Sequence, residues 1–256
     1  MCRALFLILA AVVVAASVTS SSKASFISVL PGMDDTIYGD QLDNNNGAAT
    51  QMAVGRRNSA SELRRGLLWF DVASALPAGV TVTDVILTMT QPPVGQPASQ
   101  RVDLYRMTGA WQEGGNFTAN PPAGGAPATE GSVTWRYSAF DSAEWSTPGG
   151  DFDPLSRAFA MVHGDSIDTV HTWTSALLVS DVQNWLDNPG QNFGWIALGV
   201  ENANNQMRRF YSREAAGGAI VPGDIRPVLT ITYIPEPASA VLLGLGLVAT
   251  RRRRRC

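Results

Sequence analysis

Val80-Thr81-Val82-Thr83-Asp84-Val85-Ile86-Leu87-Thr88-Met89-Thr90 is the stretch on which the fold turns. It is dense in β-branched residues, which suit a pleated backbone better than a helix. Successive side chains of a strand point to opposite faces. Val80, Val82, Asp84, Ile86 and Thr88 therefore fall on one side, and Val85, Leu87 and Met89 on the other. The alternation is imperfect, because a charged Asp84 shares its side with three apolar residues. Similar short runs lie on both sides of it, at 25–30, 48–54, 62–70, 102–107, 132–137, 169–174, 195–200, 208–212 and 228–233. Gly, Pro, Asn and Asp clusters separate them, as expected of strands joined by turns. Residues 71–76 predict one helical turn stopped by Pro77 and Gly79. Ser180 is expected to cap a second short helix running to Trp185, with Asp181 in its first turn and Asn188-Pro189-Gly190 after it. About ten strands without a repeated helical period imply an all-β fold, an antiparallel β-sandwich of the jelly-roll kind. Residues 114–131 read as a long Gly/Pro/Ala-rich loop.

The two ends are not part of that fold. Arg3 precedes an uncharged apolar run over residues 4–16, then small polar residues and Ser22-Lys23-Ala24. This is the layout of a secretory signal peptide over residues 1–24, with the cut expected after Ala24. The run is too short for a spanning helix, which needs about 20 residues. At the other end Pro235-Glu236-Pro237 holds the backbone extended. An apolar stretch over residues 238–250 follows, then Arg251, Arg252, Arg253, Arg254 and Arg255. The arginines are expected to stay on the cytoplasmic face while the stretch enters the bilayer. At about 1.5 Å per residue it reaches roughly 20 Å, short of a hydrocarbon core of about 30 Å, which favours a transient insertion.

This tail resembles the PEP-CTERM sorting signal in all three parts and in their order: the proline clamp, the Leu/Gly-rich Val241-Leu242-Leu243-Gly244-Leu245-Gly246-Leu247, and the arginine run. The resemblance implies that residues 234–256 are recognised and removed by an exosortase-type processing enzyme in the inner membrane. It also implies a Gram-negative host, with the mature protein at the cell surface or in the extracellular matrix. Many carriers of this signal also make exopolysaccharide.

Between the ends, residues 25–233 form the expected domain. The whole chain carries 19 basic and 22 acidic residues; without its ends 12 and 21 remain, a net charge near −9. An acidic surface argues against nucleic acid as a partner. Cys2 and Cys256 are the only cysteines and lie in the removable ends, so disulfides, zinc–thiolate sites and thiol catalysis are excluded from the mature chain.

Five segments in order resemble the DNRLRE domain, a relative of carbohydrate-binding modules: Asp35-Thr36-Ile37-Tyr38 with Asn46-Gly47 and Met52-Ala53-Val54-Gly55; Arg65-Gly66-Leu67-Leu68-Trp69-Phe70-Asp71-Val72; Trp111-Gln112-Glu113-Gly114 with Val133-Thr134-Trp135 and Trp145 to Asp153; Asp181-Val182-Gln183-Asn184-Trp185; and Arg226-Pro227-Val228-Leu229. The resemblance implies a secreted β-sandwich of the kind found beside polysaccharide-active enzymes.

Trp69, Trp185 and Trp195 sit in apolar surroundings and read as core. Trp111, Trp135 and Trp145 border glycine-rich loops, where an indole face could stack on a sugar ring or plug the end of the sandwich. Asp34, Asp35, Asp40 and Asp43 beside Asn44–Asn46, and the pair Asp151 and Asp153, admit calcium as a ligand or simply form solvated loops. No other cofactor is expected. His163, Asp165, Asp168 and His171 could be drawn as a metal cluster, but His171 alternates with Trp173 in a β-like run and reads as structural. G-x-S-x-G, H-E-x-x-H and phosphate-binding glycine loops are absent. The expectation is a non-enzymatic envelope or matrix protein that binds polysaccharide weakly. A polysaccharide lyase or hydrolase and a purely structural surface protein remain as alternatives.

Overall fold

A computed structural model describes residues 23–93, 98–118, 124–165, 167–216, 220 and 223–235. The expected signal peptide up to Ser22, the remainder of the expected sorting signal from Glu236 onward, and with it Arg251 to Arg255, lie outside the described residues.

The described strands are β1 (Ser25–Val29), β2 (Met33–Tyr38), β3 (Asn44–Asn45), β4 (Gln51–Arg56), β5 (Leu63–Trp69), β6 (Thr81–Gln91), β7 (Gln100–Met107), β8 (Ala126–Pro127), β9 (Tyr137–Ala139), β10 (Ala143–Glu144), β11 (Phe152–Val162), β12 (Thr169–Thr174), β13 (Trp195–Leu198), β14 (Arg208–Tyr211) and β15 (Val228–Ile234). Two α-helices join them, α1 (Val72–Ala75) and α2 (Ala176–Asp187).

One sheet has the order β1-β15-β6-β12 and the other contains β11-β7-β13-β5, all pairs antiparallel. Followed along the chain, β1, β5, β6, β7, β11, β12, β13 and β15 change sheets in the sequence of a jelly roll. The strand β2 adds to the free edge of β5. The strand β4 takes the start of the opposite edge, at Leu63 and Arg64, and β13 takes over from Arg65 to Leu68. There β4 turns away to pair with β14. The turn falls at Gly55, whose φ of +96° is a left-handed value that a side chain would resist.

β6 explains the broken alternation of its sequence. Asp84 pairs with Thr232 and Val82 with Tyr233, so Thr83 is an extra residue opposite that step. This β-bulge leaves Thr83 and Asp84 both exposed and turns Val82, Val85, Leu87 and Met89 all inward.

Those four residues join Leu68, Val102, Leu104, Trp173, Trp185, Trp195, Phe210 and Ile231 in the main core between the sheets. Helix α2 covers one end of it with Leu178, Val182, Trp185 and Leu186. It is three turns long and capped by Ser175, whose Oγ accepts from the Leu178 N–H at 3.1 Å. The expected cap at Ser180 therefore lies inside the helix. Asp181, expected in the first turn, is instead buried and accepts from Trp195 Nε1 at 2.9 Å.

Two of the longer strands are not legible in the run pattern: β2, which carries two aspartates, and β11, which Pro154 interrupts. The expected strand at 132–137 is mostly irregular backbone, with strand only from Tyr137. Ala24–Pro235 makes one compact unit. Among the described residues no helix is long and apolar enough to cross a membrane.

Candidate functional site

The outer face of the larger sheet carries a second core. Ile37, Leu67, Met107 and Ile196 project from the strands, and the connection between β7 and β11 folds back over them. That connection needs apolar anchors of its own, and Trp111, Trp135 and Trp145 supply them. The structure does bring the three indoles into one cluster, but their relative exposures are 6 %, 8 % and 4 %. Trp111 Nε1 donates to Phe193 O at 2.9 Å and Trp145 Nε1 to Thr134 O at 3.0 Å. The Arg65 guanidinium lies over the Trp135 ring, 4.6 Å from its centroid. Gly149, at φ +98°, packs so close to this ring that a Cβ would come within 2.9 Å of it. The glycines beside these tryptophans thus allow the loop to close over them. None of the three offers an open face for a sugar ring, and the expected stacking platform is corrected to a plug.

Aromatic surface appears further along the same sheet. Tyr105 on β7 and Phe152 on β11 lie 5.2 Å apart, centroid to centroid. Phe159, next along β11, is 52 % exposed, and Arg101 covers one side of its ring at 3.8 Å. Arg101 also holds Asp103 in a two-pronged ion pair, both contacts 2.7 Å. Burial opposes ionisation of Asp103, but the Arg101 pair and the Ser156 hydroxyl at 2.6 Å outweigh it and keep the carboxyl below the usual range. A second two-pronged pair joins Arg65 to Glu201 at 2.8 and 2.9 Å. Phe152 also forms a wall of a cleft of about 490 Å³, lined by Thr108, Ser146, Thr147, Gly150 and Asp151. This face therefore offers ring surface, charged hydrogen-bond partners and hydroxyl groups side by side. Sequence reading passed over it, since Phe159 and Arg101 are neighbours only through β7–β11 pairing.

A larger groove of about 580 Å³ lies on the outer face of the smaller sheet, between Ser28, Thr88, Thr90, Val170 and the connection carrying Ile220, Asp224 and Ile225. It has hydroxyls and acids but no aromatic wall.

The acidic loops separate once folded. Asp40 pairs with Arg64, Asp43 with Arg136, and Asp151 accepts from the Ser146 and Thr147 N–H groups. Asp153 accepts from the Leu155 N–H and pairs with Arg157. These four are engaged in turns and ion pairs, so neither expected calcium loop assembles as read. Asp35 accepts from the backbone N–H groups of Thr36, Asn46 and Gly114 at 2.7–2.8 Å, tying β2 to two loops. Burial nevertheless pushes its carboxyl up to about 8, with those three donors acting against it. Asp34, its neighbour on the opposite face of the strand, meets Glu113 and Glu214 instead. His171 Nε2 lies 2.9 Å from His163 O and its ring packs edge-on against Phe210, so its contacts are structural.

No family model matches the chain, and a search of curated proteins finds no match either.

Proposed function

We propose that this is an exported, non-enzymatic protein of a Gram-negative cell surface or extracellular matrix, whose jelly roll holds polysaccharide weakly on the outer face of its larger sheet. The observation that carries the reading is the strip of Tyr105, Phe152 and Phe159 beside the Arg101–Asp103 and Arg65–Glu201 pairs. Sugar rings present apolar C–H faces that aromatic rings cover, while their hydroxyls need charged and polar partners nearby. A half-exposed ring offers limited contact, which fits weak, repeated attachment along a polymer better than tight capture of one unit. The two terminal motifs support the export half of the proposal: an N-terminal leader, and a tail that inserts transiently in the inner membrane until an exosortase-type enzyme removes it.

Two experiments test the two halves. Intact mass of the protein recovered from its producing cell is expected to lack residues before about Ser25 and after about Pro235; a surface form that retains the arginine run would refute the sorting. Polysaccharide pull-down and a glycan array on Ala24–Pro235 test the binding. Phe159→Ala is expected to weaken retention about fivefold, the equivalent of roughly 1 kcal/mol for one stacked ring. Retention of no polysaccharide would leave a purely structural surface protein, and chain cleavage during the assay would establish the enzymatic alternative.

A further inference from the structure

We propose that the gap between Asp34, Glu113 and Glu214 is a binding site for a divalent cation, and that calcium is the ion its chemistry fits. The three residues come from β2, from the turn after Trp111 and from the turn after β14, yet one carboxylate oxygen from each lies within 4.8 Å of the others. Asp34 is 1 % exposed, and its Oδ1 is buried with no hydrogen-bond partner. Glu214 Oε2 is also buried and equally without one. Their other oxygens are engaged: Asp34 Oδ2 accepts from the Arg213 N–H at 2.7 Å, and Glu214 Oε1 lies 2.8 Å from Arg213 Nε. Glu113 caps the open edge of β2 by accepting the Asp34 N–H through Oε1 at 2.7 Å, and it binds the Arg213 guanidinium with both oxygens.

The Arg213 guanidinium thus pairs with Glu113 and Glu214 but meets Asp34 only through its backbone N–H, so one positive group serves three acids. An unpaired buried carboxylate oxygen is costly, and two of them here belong to one cluster. A divalent cation would engage both and neutralise the remaining charge. The donors are all oxygen, without histidine or cysteine, which selects a hard ion. Carboxylates on three separate segments, two of them in turns, suit the larger and more adaptable coordination shell of calcium better than the strict octahedron of magnesium.

The test uses the full-length chain purified in detergent and stripped with a chelator. Calorimetric titration with calcium chloride is expected to show one site, and calcium at about a hundred times its dissociation constant should raise the melting temperature by roughly 5–10 °C. Asp34→Asn and Glu214→Gln should each weaken binding at least tenfold, while the melting temperature of the stripped protein holds or rises as repulsion is relieved. Asp151→Asn, which alters an acid outside the cluster, should bind as the parent does. If Asp34→Asn does not fold, Glu214→Gln, on the more accessible turn, decides alone. Absence of both heat and melting shift up to about 10 mM calcium, beyond the range of weak extracellular sites, would overturn the proposal. So would parental affinity in Glu214→Gln.

Discussion

Replacing Trp145 by alanine separates a buried plug from a surface platform. The indole is almost fully enclosed, in contact with the second core, and its Nε1 satisfies the carbonyl of the buried Thr134. Truncating a buried Trp to Ala costs about 3–5 kcal/mol through lost transfer energy and the cavity left behind. The orphaned carbonyl adds about 1 kcal/mol. For a domain of this size each kcal/mol lowers the melting temperature by about 2–4 °C, so Trp145→Ala should melt roughly 8–24 °C below the parent in a calorimetric scan. Phe159→Ala removes a half-exposed ring and should cost about 1 kcal/mol or less, with its effect appearing in polysaccharide retention instead. A Trp145→Ala protein melting within about 2 °C of the parent, and losing only retention, would refute this assignment and restore the indole as a sugar platform.

Three further outcomes are expected. Asp181→Ala removes a buried carboxylate that serves Trp195 Nε1, Arg157 and Arg106, so chemical denaturation should show a loss of about 3 kcal/mol. Asp153→Ala, which removes a more exposed partner of the same arginines, should cost less. Burial raises the carboxyls of Asp34, Asp35, Asp181 and Glu214, so the folded state holds more protons than the unfolded one from about pH 4, the unfolded value, to about pH 8, where Asp35 titrates. In that window stability should fall as pH rises; melting scans in chelator that climb steadily from pH 5 to pH 8 would contradict it. Finally, Cys2 and Cys256 are the only cysteines, so a form recovered from the cell that is trimmed at both proposed boundaries should melt indifferently to reductant, and a sensitive melt would show that those boundaries are misplaced.

The sandwich was legible because its information is local. Runs such as Thr169–Thr174 and the stretch around Val85, Leu87 and Met89 alternate as strands must, and turn residues separate them. Even the defect in that stretch was visible as a misplaced Asp84, although only pairing with β15 shows it to be a bulge. The helical turn expected at 71–76 is present as α1, and Asp71 turns out to be its cap. β2 escaped notice because its aspartates look like loop residues. They are tolerated in a buried strand because partners arrive from far along the chain: Gly114 for Asp35, and the Arg213 N–H for Asp34.

The candidate sites follow the same division. Sequence alone determined the acidic balance of residues 25–234, their lack of cysteine and the motifs that flank them, since these depend on composition and order. It could also mark Trp111, Trp135 and Trp145 as unusual, because they stand beside glycines. Whether glycine leaves an indole open or allows backbone to close over it depends on where the loop returns, and that is a matter of tertiary contact. The loop returns across Leu67, Met107 and Ile196 and buries all three. Ring surface is left instead on β7 and β11, whose residues meet only through strand pairing, and the acids that share a gap are separated by scores of residues. Proximity of that kind is fixed by the packing of the two sheets, and no local pattern of residues records it.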